Sequence, residues 1–224
     1  MKIAVSGKGG VGKSTVAGTL ARQFAAGGYR VIAVDADPDA NLAQYIGIPG
    51  DRLAELIPLV EMSDLIEERT GVKKGQMGGF FKLNPKVDDI PDNYSILHKG
   101  VRFLQLGHVK GGGTGCYCPE NALLRSLMAH LLVYDKDVVI LDMEAGVEHL
   151  SRGTSRSVDL MLIVVEPAPA SFQTARSIRD LARDLDIKNV AIVANKIRSD
   201  RDKEIIEREL SDFKILGFLP YDPD

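Results

Sequence analysis

Cysteine is scarce in this sequence, with only Cys116 and Cys118 among 224 residues. So few thiols, and an N-terminus ("MKIAVSGKGG") without an export pattern, exclude a disulfide framework and make a reducing cytoplasm the expected compartment. Long hydrophobic runs are missing too. The longest, such as "LMLIVV" at 160–165, fall far short of the roughly 18 apolar residues a membrane span needs. No basic amphipathic segment ends the chain, so no membrane partner is expected. Charge of one sign is not in excess: the formal net charge is −3, which points to no nucleic-acid partner. Internal repeats and low-complexity tails are absent. What is left is an ordinary globular composition, 45% hydrophobic and 26% charged, on a chain long enough to bury a substantial core.

Short apolar runs recur at 2–5, 30–35, 138–142, 160–165, 190–194 and 215–219. They are near-continuous rather than alternating, as expected of parallel strands covered on both faces. Helical patterns lie between them. In the segment 14–28, Val16, Leu20 and Phe24 form one row and Ala17, Ala21 and Ala25 the next, with Gly27 and Gly28 as a stop. The segment 171–187 reads the same way. Alternating strand and helix predict a doubly wound α/β fold with a mostly parallel sheet. Residues from about 50 to 118 break the rhythm, with one amphipathic helix over 53–71, a strand at "VRFLQL" and a glycine-cysteine loop. This stretch is an expected insertion within a single domain spanning 1–224.

"GKGGVGKS", Gly7 to Ser14, fits the phosphate-loop pattern G-x-x-x-x-G-K-[ST], after the first strand and before a helix. Backbone amides of Gly7, Gly9, Gly10, Val11 and Gly12, continuing through Lys13, Ser14 and Thr15, are positioned to surround phosphates at a helix N-terminus. Lys13 is expected on the β/γ-phosphates and the Ser14 hydroxyl on Mg²⁺. Asp35, Asp37 and Asp142 lie at strand ends beside this loop, where open α/β sheets bind ligands; Asp39 reads as a helix cap. Asn195-Lys196 follows a strand in "VANKIRSD". Guanine-reading proteins place an aspartate two residues beyond the lysine. Arg198 stands there instead and accepts no hydrogen bond, which favours adenine, with Asn195 on the base edge and Pro220 and Tyr221 near the ring.

Cys116 and Cys118 face one way along an extended segment, and a disulfide between them would close a strained ring. Two thiolates make half of a four-donor soft-metal site, which a two-fold axis would complete. The motif alone is weak, and zinc, nickel, copper(I) and iron–sulfur centres all remain open to it. The histidines, His98, His108, His130 and His149, show no ligand spacing; His108 is placed to support the loop as a secondary partner.

The second lysine of the loop, Lys8, makes "KGGVGKS" resemble the deviant Walker A ATPases, which include the Min and Par ATPases, nitrogenase iron protein and arsenite-pump ATPases. That resemblance implies a dimer in which Lys8 reaches the partner's nucleotide, Asp37 orients the attacking water, and Asp35 supports the magnesium shell. "VVILDMEAG" resembles the Walker B strand running into the second switch. The resemblance gives Asp142 a magnesium-bound water and the Gly146 N–H the γ-phosphate; Glu144, an acid repelled by the phosphate charge, is expected to point away or to respond to the switch. "CYCPEN", "NPKV" at 84–87 and "AGVEHLSRGT" at 145–154 are similar to the CooC type of carbon monoxide dehydrogenase accessory ATPases. This similarity covers residues 1 to about 221, and members of that type carry a further C-terminal helix past the point where this sequence stops. It implies a homodimeric, Mg-dependent ATPase binding nickel or zinc between subunits, with carbon monoxide dehydrogenase or acetyl-CoA synthase as client. An iron–sulfur electron-transfer ATPase and a Min/Par-type positioning ATPase are the alternatives.

Overall fold

The computed structural model describes residues 1–73, 80–107, 118–134, 137–144, 150, 155 and 157–222. One eight-stranded sheet organises them. Its strands are β1 (Lys2–Gly7), β2 (Val31–Asp35), β3 (Ile96–His98), β4 (Val101–Gln105), β5 (Val138–Asp142), β6 (Leu160–Val165), β7 (Val190–Ile197) and β8 (Lys214–Pro220), in the order β3-β4-β2-β5-β1-β6-β7-β8. All neighbours are parallel except β3 and β4. From β1 the chain fills one side of the sheet and then, with β6, β7 and β8, the other. Such a switch point places a crevice at the carboxyl end of β1.

Along the central strands successive side chains enter two separate cores, one on each face. Ile3, Val5, Val31, Ala33, Val138 and Ile140 face one side, while Ala4, Ile32, Val34, Val139 and Leu141 face the other. Both sets are removed from water, which is why these strands read as unbroken apolar runs. The first face is covered by α1 (Lys13–Ala26) and α2 (Leu42–Ile46). The second is covered by α6 (Pro119–Ala129) and α7 (Pro169–Asp184), through residues such as Leu123, Leu127, Phe172 and Ile178. A further helix, α8 (Asp200–Glu209), starts from a reciprocal cap in which Ser199 and Asp202 satisfy each other's backbone N–H.

α1 and α2 meet at Gly18. A β-carbon there would stand 2.6 Å from Tyr45 Cβ and 2.9 Å from the Tyr45 carbonyl carbon, so one helix would have to retreat. Gly18→Ala is therefore expected to destabilise the chain by about 1–3 kcal/mol, the usual consequence of overpacking. That outcome opposes the gain alanine gives in an open helix, and urea denaturation reads the sign directly.

The helix expected over 53–71 is broken into three pieces: α3 (Gly50–Ala54), a 3₁₀ turn (Leu59–Glu61) and α4 (Ser63–Thr70). Pro58 is the cause. It lacks a donor, and its ring disfavours helical geometry at Ile57; its own ψ is 143°, extended rather than helical. α4 is then tied to the short α5 (Ile90–Asn93) by the Arg69 guanidinium, which donates to both carboxylate oxygens of Asp89 at 2.9 and 2.7 Å. This fork holds the Asp89 carboxyl below the usual carboxylate range.

Candidate functional site

β1 ends in the phosphate loop, and the loop ends in α1. Gly12, the residue before the helix, has φ 95° and ψ 30°, a left-handed conformation that glycine adopts without strain. Gly7 lies so close to β6 that a β-carbon would fall 2.4 Å from the Val164 carbonyl oxygen. Gly9, Gly10 and Thr15 are exposed, Ser14 and Lys8 half-buried, and Val11 is fully buried under the loop. No described carboxylate pairs with Lys8. Lys13 behaves differently: its side chain is 7% exposed, and its ammonium lies 3.3 Å from a carboxylate oxygen of Asp37, itself 12% exposed.

Three aspartates converge beside that lysine. Asp35 and Asp142 are register partners at the ends of the adjacent strands β2 and β5, and both are buried. Burial pushes the Asp35 carboxyl up to about 7, and the charge of Asp142 adds to the push; amide donors from Leu42 and Asp37 work against it. Burial likewise lifts Asp142 to about 6, opposed by the nearby Ser14 hydroxyl and the Lys13 ammonium. Neither oxygen of Asp142 has a hydrogen-bond partner of ordinary geometry. A buried carboxylate with two orphaned acceptors beside a hydroxyl is a donor set fitted to a hydrated divalent cation.

The expected capping role of Asp39 is not seen. The residue before α2 is Asn41, and the Leu42 amide of the helix donates instead to Asp35, at 3.0 Å. The other Asp35 oxygen accepts from the Asp37 N–H at 3.2 Å, and the Asp39 N–H donates to Asp37 at 3.0 Å. Asp35 is the better acceptor because it is held at a strand end that α2 must pass. Glu144 is exposed, and its carbonyl accepts from the buried Ser6 hydroxyl at 2.7 Å.

The other candidate residues fall around the end of β7. The Asn195 side-chain amide donates to the Val11 carbonyl at 2.9 Å, and Lys196 donates to the Gly10 carbonyl at 2.6 Å, so both touch the phosphate loop itself. Lys196 also pairs with Glu166, at 3.0 Å. Sequence reading missed Glu166, although its place directly after the apolar run of β6 marks it as a strand-end residue. Pro220 closes β8, and the Tyr221 ring carries the Arg198 guanidinium 4.0 Å from its centroid.

Cys118 is half-buried in extended geometry at the start of α6, an element sequence reading did not mark. Cys116, Gly146, His108 and His149 lie outside the described residues. Among the described residues no group of three or more His, Cys, Asp or Glu side chains is placed to hold a metal ion, and no helix is long and apolar enough to cross a membrane.

The family model for the CobQ/CobB/MinD/ParA nucleotide binding domain matches residues 2–224. The carbon monoxide dehydrogenase accessory protein CooC of Rhodospirillum rubrum is 51% identical over 222 residues, 99% of this chain and 84% of that protein. An uncharacterized ATP-binding protein of Methanocaldococcus jannaschii is 48% identical over 227 residues, 100% of this chain and 86% of the relative. Among solved structures, MinD of Aquifex aeolicus aligns with a TM-score of 0.66 at 19% identity, covering 100% of this chain and 84% of its own. A ParA-family ATPase of Chlorobium tepidum aligns with a TM-score of 0.67 at 20% identity, covering 100% and 86%. At such identities the two structures speak for the fold alone.

Proposed function

The chain belongs to the CobQ/CobB/MinD/ParA family of nucleotide-binding domains, and from that premise we propose that it is a maturation ATPase serving carbon monoxide dehydrogenase or acetyl-CoA synthase. The chain is an ATPase of this family. The observation that carries the client assignment is the 51% identity to CooC across 99% of the chain. Two subunits meet across Lys8, and Cys116 and Cys118 of each supply a four-thiolate site for nickel or zinc as cargo.

In this reading the loop amides and Lys13 bind the β- and γ-phosphates; Ser14 would hold the magnesium ion and Asp142 one of its waters, with Asp35 supporting that shell. Magnesium, when bound, supplies charge neutralisation on the phosphate oxygens. Asp37 leaves Lys13 as phosphate arrives and turns its carboxylate to the attacking water. The Gly146 N–H meets the γ-phosphate; Asn195, Lys196, Pro220 and Tyr221 enclose the nucleotide. A single domain over 1–224, with the cysteine loop borne on an insertion at about 50–118, lets nucleotide and cargo sites act within one fold. Coupling between them requires that ATP and metal favour the same dimeric state.

A structural four-cysteine zinc site is worth about 10–16 kcal/mol near neutral pH, so even part of that strength makes a strong clamp between subunits. Added zinc or nickel is expected to convert nucleotide-free protein to a dimer in size-exclusion chromatography with light scattering. Without nucleotide, the Cys116→Ser, Cys118→Ser double variant should stay monomeric when metal is added, and it should still bind ATP. A wild-type monomer at saturating metal would rule out the shared site.

A further inference from the structure

The phosphate loop is braced by the end of β7. The Gly10 carbonyl is drawn to Lys196 and the Val11 carbonyl to Asn195, at 2.6 and 2.9 Å. In a trans peptide the carbonyl and the following N–H point to opposite sides. Pinning these two carbonyls toward β7 therefore turns the Val11 and Gly12 amides the other way. The Val11 amide closes a turn on the Lys8 carbonyl at 3.3 Å, and the Gly12 amide is the one left for a phosphate. The orientation of the cradle thus depends on side chains that reach the loop from β7.

Lys196 does not take up this position by backbone preference. Its φ is 59°, in the left-handed region that a lysine rarely enters, so the surroundings must hold it there. The residue lies where the pairing of β7 with β8 shifts register, between Ala194 and Ile197, and its ammonium is held in turn by the Glu166 carboxylate at 3.0 Å. Glu166 is itself fixed: its N–H donates to the hydroxyl of the buried Ser171 at 3.1 Å, and its carbonyl accepts from Ala168 at 2.7 Å. The strand it follows, β6, is in register with β1, Val164 beside Gly7. The chain Ser171, Glu166, Lys196, Gly10 therefore runs without a gap from the start of α7 to the phosphate loop.

We propose that Glu166 is a positioning residue for polyphosphate binding, acting through Lys196 on the Gly10 carbonyl. The inference rests on the nucleotide site described above and adds to it a residue that touches neither phosphate nor base. Its signature is indifference to the base: what it orients is the loop, so any ligand with a phosphate chain feels its loss.

Isothermal titration of MgATP and of magnesium tripolyphosphate against wild type, Glu166→Gln, Lys196→Met and the double variant tests this. Both single variants are expected to bind both ligands about three- to tenfold more weakly, a range reduced for partial solvent exposure of the pair. The double variant should be no weaker than Lys196→Met alone, and in turnover KM should rise while kcat holds. Loss confined to ATP would assign the pair to the base and overturn the clamp, as would additive losses in the double variant, which ATP alone suffices to reveal. Wild-type protein that failed to bind ATP would overturn the nucleotide site itself, a result distinct from either.

Discussion

Lys8→Ala is expected to slow ATP turnover by about 10³–10⁵-fold, the range associated with a charge delivered to the phosphoryl-transfer transition state by a finger residue, while ATP affinity stays within a few-fold of wild type. The structure separates the two lysines of the loop. Lys13 is buried against Asp37, whereas Lys8 is half-buried with no described carboxylate beside it. A lysine serving its own loop would weaken binding when removed, as Lys13→Ala should. One serving a second subunit's nucleotide leaves binding alone. Mixing decides between the cases. Lys8→Ala and Asp142→Asn chains should each be inactive alone; combined, they should regain turnover, because in a mixed dimer one site keeps its own Asp142 and receives the other chain's Lys8. No recovery on mixing, or unchanged turnover in Lys8→Ala, would remove the trans role.

The second large effect is a gain of stability. Asp142 has a folded pKa of about 6 against 3.8 in its ordinary state, raised by burial. The folded chain therefore binds this proton more tightly than the unfolded chain does. The resulting stability is fully present below about pH 4, is lost as pH rises toward 6, and the buried charge is carried in full above that. Asp35, raised to about 7 with Asp142 among its causes, extends the window to neutrality. Asp142→Asn removes one charge and relieves the other. Each displaced unit is worth about 1.36 kcal/mol, so the nucleotide-free variant should exceed wild type by a few kcal/mol at pH 8 and by little near pH 4. The same variant should lose magnesium-dependent hydrolysis, a trade of stability for activity expected at such sites. Thermal melts of both proteins across this pH range provide the check; a variant less stable at pH 8 would mean that the orphaned oxygens are satisfied after all.

Much of this architecture could be read from sequence because the central strands are buried on both faces. Runs such as Val138 to Asp142 have no polar alternation to confuse them, and two of them end in a site aspartate, Asp35 and Asp142. The phosphate loop was legible for a similar reason, since its glycines answer to local backbone geometry. Tertiary contacts were not. Asp39 looked like a cap because it is a short polar residue near a helix start, yet α2 is held by Asp35 from seven residues back, a pairing that depends on where β2 stops. Pro58 was visible but was overruled by apolar spacing on both sides. Glu166 matters only because β6, β7 and the loop converge, and no single stretch of chain carries that information.

The close seating of α1 on α2 at Gly18 has a consequence for how the site works. One helix rises from the phosphate cradle and the other from the aspartate-bearing strand, and with no side chain at Gly18 to cushion them they are locked together like meshed teeth. A rearrangement that accompanies ligand binding is therefore expected in the connection at 36–41, which carries Asp37, rather than in a slide of one helix over the other.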